Sequence, residues 1–130
     1  MTIIYKEEGA IMSEHMTWLE YKNKKILYAN FTNVKDATEF IKRIDEMETE
    51  ILKYKKRPGV IYTISDITNS HVTTDVKSRF EALVKSTEGI SKAKATVGVQ
   101  GIQKIIANAI KKDMHFAASV DDAKEWLVNQ

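Results

Sequence analysis

The sequence has no cysteine, a single proline, Pro58, and only five glycines in 130 residues. The missing cysteine excludes a disulfide framework, a thiolate metal centre and a cysteine nucleophile. It also fits a reducing compartment. No apolar run approaches the roughly 18 residues that a membrane-spanning helix needs. The opening stretch, MTIIYKEEGAIMSEHM, has no basic lead, no apolar centre and no small-residue cleavage site, so no secretory signal is expected and the expected address is the cytoplasm. Neither charge sign is in excess: 20 basic against 18 acidic residues leave a net +2. That balance does not call for a nucleic-acid partner. G-x-G-x-x-G, the Walker loop and G-x-S-x-G are absent, and no two of the three histidines share a metal-ligand spacing. No cofactor, no metal and no enzymatic activity are therefore expected.

What the chain does contain is periodicity, enough for one domain over residues 1–130. Residues 3–5 are compatible with a short edge strand, with 1–14 otherwise an arm of undecided placement. In 16–31, apolar and polar side chains alternate on both sides of Asn23-Lys24, the pattern of an antiparallel hairpin. Residues 36–56 follow with Phe40, Ile41, Ile44, Met47 and Ile51 on one helical stripe, Asp36 and Glu39 as a capping pair, and Pro58 as the stop. The basic run KYKKR, 53–57, falls at the end of this helix and reads as a solvated cap that opposes the helix dipole. A buried strand is expected at 59–65, a helix at 74–86, strands at 94–99 and 115–119, and helices at 102–110 and 120–129. Ser119 and Asp122 cap the last helix, and Trp126 and Leu127 face inward. About four helices and a mixed α/β sheet result, with the later strands parallel because each strand–helix–strand unit crosses over right-handed. Exposed edge strands make a homodimer conceivable.

Four segments carry a resemblance: KKILYANFTNV before the long helix, GVIYTISDIT ending a central strand, KATVGVQGIQKIIANAI, and the closing FAASVDDAKEWLV. Together they resemble the STAS fold, and more closely the small bacterial STAS/SEC14-like (SpoIIAA-like) proteins. The resemblance implies a non-enzymatic interaction or regulatory domain with a protein partner, or else a small-molecule or lipid carrier with a pocket at the carboxyl edge of the parallel strands. In antagonist-type members an aspartate ends the central strand, and a serine at the next helix start is phosphorylated. Asp66 corresponds to that aspartate, and the offset places the acceptor near Thr74, beside Thr73. Threonines stand where the serine is expected, and Val76 where the family has glycine.

The residues themselves support a simpler account of the same stretch, TISDITNSHVTTDV. Thr73 or Thr74 is an N-cap, and Asp75 is the first-turn acid that complements the dipole. Capping is the stronger reading. Ser70 and His71 lie in the same loop, and His71 is the histidine closest to the candidate site in sequence. A second turn, Gln100 and Gly101 with Lys104 beyond it, lies at the same carboxyl edge, where ligands of parallel sheets collect. Gly98 before it is expected to permit close packing or a bulge. The isoleucine stripe of 102–110 is a possible pocket wall.

Overall fold

The computed structural model describes residues 3–5, 14–99 and 114–130. The sheet is mixed and its strand order follows the chain: β1 (Ile3–Tyr5), β2 (Met16–Tyr21), β3 (Lys24–Asn30), β4 (Ile61–Asp66), β5 (Ser91–Val97) and β6 (Met114–Ala117). β1, β2 and β3 pair antiparallel, and β3 to β6 pair parallel. The α/β class, the N-terminal hairpin and the parallel centre are as the periodicity predicts. Residues 3–5 do pair with the sheet, at its edge. Among the described residues there are three helices, α1 (Ala37–Leu52), α2 (Thr74–Ser86) and α3 (Val120–Val128). The expected helix at 102–110 lies outside them. Among the described residues no helix is long and apolar enough to cross a membrane.

Alternation along each strand builds two cores. Trp18, Leu27, Ala29, Phe31 and Ile61 face α1 and α2, where they meet Phe40, Ile44, Met47, Ile51, Val76 and Leu83. Leu19, Ile26, Tyr62, Ile64, Ala93 and Ala95 face α3 and meet Ala123 and Leu127. With strands added in one direction, right-handed crossovers place α1 and α2 on the same face. Phe31, Phe40 and Phe80 lock those two helices to β3 with ring centroids 5.2 to 5.6 Å apart. Trp126 is only partly buried and stacks on His115 at 4.7 Å, whereas Leu127 is fully buried.

Several boundaries differ from the expected ones for visible reasons. The hairpin turns at Lys22-Asn23, one residue earlier than expected, with φ of 49° and 65°. Two left-handed residues match the twist of the flanking strands, and the Tyr21–Lys24 pair then closes the ladder. α1 stops at Leu52 rather than at 56, because Tyr54 turns inward against Trp18, 5.2 Å between ring centroids. Apart from the buried Tyr54, the run KYKKR is thus an exposed turn after the helix, not its last turn. β5 runs from Ser91 to Val97 instead of 94–99, and Gly98 at φ 87° ends it.

Candidate functional site

The loop after β4 is held along its whole length. The Phe31 and Asn33 N–H groups donate to the carbonyls of Asp66 and Thr68 at 2.8 and 2.9 Å. The Ile67 N–H donates to the Val97 carbonyl at 2.9 Å, and His71 N–H to that of Val34 at 2.9 Å. The Asp66 carboxylate is buried and fully engaged. It accepts from the Tyr28 hydroxyl at 2.6 Å, from the Thr68 hydroxyl at 2.6 Å and from the Thr68 N–H at 3.1 Å. Burial, and then the Asp66 carboxylate, push the Tyr28 phenol far above its ordinary value. Ser70 is buried too; its Oγ accepts from the Val34 N–H at 2.9 Å and donates to the Phe31 carbonyl. A side chain on Gly98 would collide with Thr68, so the glycine lets β5 approach the loop.

Thr73 is the N-cap of α2, its Oγ1 accepting from the Val76 N–H at 3.3 Å. Val76, standing where the resembled family has glycine, is a fully buried core residue. His71, Thr74 and Asp75 are exposed. The loop therefore gathers Asp66, Ser70 and Thr73 as structural anchors and leaves His71, Thr74 and Asp75 at the surface. Gln100, Gly101 and Lys104 lie outside the described residues, as does the 102–110 stripe. Among the described residues no cluster of histidine and carboxylates could hold a metal.

A pocket of about 740 Å³, counting the space at its mouth, lies between α1, α2 and the facing side of β4 and β5. It follows the length of these strands rather than sitting only at their carboxyl edge. Its helix-side wall is apolar: Met47, Ile51, Phe80, Leu83 and Val84. Its floor, across from that wall, carries Thr63 and Ser65 from β4 and Ser91, Lys94 and Thr96 from β5, although the surface open to the pocket is almost entirely apolar. Ser65 Oγ contacts Met47 Sδ at 3.7 Å, and Thr96 contacts Met114. Among the described residues the buried Ser91 hydroxyl oxygen has no hydrogen-bond partner. Lys94 is half-buried, and among the described residues it forms no ion pair.

Sequence reasoning did not find this floor, although its signal was present. In IYTISD, Thr63 and Ser65 alternate with Tyr62 and Ile64; in SKAKATV, Lys94 and Thr96 alternate with Ala93, Ala95 and Val97. A strand buried on both faces has no structural need for a polar row. Comparison of the chain with protein-family models, with curated proteins and with solved structures found no match.

Proposed function

We propose that the chain is a STAS-like, non-enzymatic binding domain that holds a small amphiphile between α1, α2 and the β4–β5 floor. The ligand has an apolar body and an acidic, hydrogen-bonding head. The observation that carries this reading is the apolar surface of the pocket, with Lys94 among the residues of its floor. Among the described residues Lys94 forms no ion pair, and the Ser91 hydroxyl, on the same strand, has no hydrogen-bond partner; both groups suit an anion. The apolar wall opposite suits a hydrocarbon or ring body. The element order and the mixed sheet support the STAS-like description.

A second reading is a protein-binding or phosphorylated switch at the start of α2, favoured by the exposure of His71, Thr74 and Asp75 on one turn. Native mass spectrometry on the full chain, purified gently from its own host, separates the two. The amphiphile reading expects an added mass that dissociates on activation and is absent from V84W, which fills the pocket. A covalent phosphate at Thr73 or Thr74 would instead establish the switch. A clean apo mass that stays clean after incubation with excess decanoate would overturn the amphiphile reading.

A further inference from the structure

The amino edge of the parallel strands is basic and carries exposed apolar side chains. Lys24 begins β3, and Lys92 lies one residue into β5. Register sets Lys25 beside Ile61, and Ile61 beside Ser91, so these strand starts are neighbours. The turn between α1 and β4 lies across the same edge, tied down by the Gly59 N–H donating to the Ile90 carbonyl at 2.9 Å. Tyr54 anchors it from below, with Lys25 Nζ 4.7 Å and the Arg57 guanidinium 4.8 Å from its ring centroid. Around that anchor Lys53, Lys55, Lys56 and Arg57 are exposed. Two large apolar side chains are exposed at this edge, Leu52 at 38% and Val60 at 46%.

Helix-dipole compensation does not account for the cluster, because α1 has no basic residue in its last turn. Local carboxylates neutralise it only in part: Glu50 pairs with Lys53 at 2.6 Å, and exposed Glu88 lies in the turn before β5. Glu50 is engaged by Trp18 and Lys53, and Glu125 by Tyr21 and Lys22. Among the described residues Lys24, Lys55, Lys56 and Lys92 form no ion pair.

We propose that this edge docks the protein on an anionic phospholipid bilayer. Lysines at such a surface are drawn to the headgroups, and apolar side chains between them enter the boundary with the acyl chains. Leu52 and Val60 decide for lipid over nucleic acid, since a phosphodiester backbone offers them nothing to enter. The proposal is independent of the pocket on the helix-facing side of the sheet.

The test is sedimentation of the full chain with vesicles of phosphatidylcholine alone, or of equal parts phosphatidylcholine and phosphatidylglycerol. The protein is expected to sediment with the phosphatidylglycerol vesicles at low salt and to stay in solution with phosphatidylcholine alone. Each lysine changes partitioning about fivefold, so K55E/K56E, at two exposed positions, is expected to weaken binding more than about tenfold. L52S/V60S is expected to weaken it as well, without changing the response to salt. Failure to sediment with phosphatidylglycerol vesicles, or wild-type partitioning by K55E/K56E, would overturn the proposal. Tight binding to duplex DNA with no effect of L52S/V60S on any partner would overturn it in favour of nucleic acid.

Discussion

Replacing Gly98 by alanine tests how the carboxyl edge is held. Gly98, Gly59 and Gly89 have φ of 87°, 83° and 81°. Alanine in the left-handed region costs about 1–2 kcal/mol, partly offset by about 0.4–1 kcal/mol through the reduced freedom of the unfolded chain. That leaves about 1 kcal/mol at any of the three. At Gly59 and Gly89 a new Cβ meets nothing within 4 Å. At Gly98 it would lie 2.5 Å from Thr68 Oγ1 and 2.6 Å from both Thr68 Cα and N. Two of those atoms are backbone, so the 66–69 loop must shift, which adds about 1–3 kcal/mol. The total for G98A is about 3 kcal/mol. At about 2.1 cal/mol/K per residue, 130 residues unfold with about 0.27 kcal/mol/K, so G98A lowers Tm by about 11 °C and G89A by about 4 °C. Calorimetry on the two variants measures the difference directly. T68A removes only one of the three clashing atoms, so T68A/G98A should recover little. Equal Tm losses for G98A and G89A would refute the close approach of β5 to the loop.

Other outcomes follow from the same loop and from the α1–α2 surface. S70A strands the buried Val34 N–H and Phe31 carbonyl, and urea unfolding should show a loss of about 2 kcal/mol. T73A removes the α2 cap and should cost about 1 kcal/mol, with T74A nearly neutral by the same measurement. The Ser86 hydroxyl, and then Arg79, hold the Glu48 carboxyl below its ordinary value. A lowered folded-state pKa gives stability that is full above the ordinary glutamate range and is lost as pH falls through the lowered value. S86A should therefore flatten the acid limb of the stability curve below about pH 4.5. The effect should stay under about 1 kcal/mol, because the pair is largely solvated.

Most of the fold was legible because its signals are local. The Phe40–Ile51 stripe, the alternation around the hairpin and the Asp36, Thr73 and Ser119 caps each act within a few residues of chain, and each caps or buries as expected. The misses arise where tertiary contacts decide. Nothing near Leu52 in sequence announces that Tyr54 will pack against Trp18, a strand away, and end the helix. Asp66 and Ser70 were visible as polar loop residues, but their partners, Tyr28, Phe31 and Val34, come from the β3 side. The Lys94–Thr96 row was written in the sequence as alternation. It becomes a floor only when β4 lies beside β5 under α1 and α2.

The central claim is that the β4–β5 floor receives an acidic head while α1 and α2 receive an apolar body. Calorimetric titration of the full chain with decanoate and with decanol tests it most directly, since the two share a tail and differ in the head. The account predicts one decanoate per chain, weaker binding of decanol, and loss of that preference in K94Q with folding intact. Absence of decanoate binding, or an unchanged preference in K94Q, would contradict it.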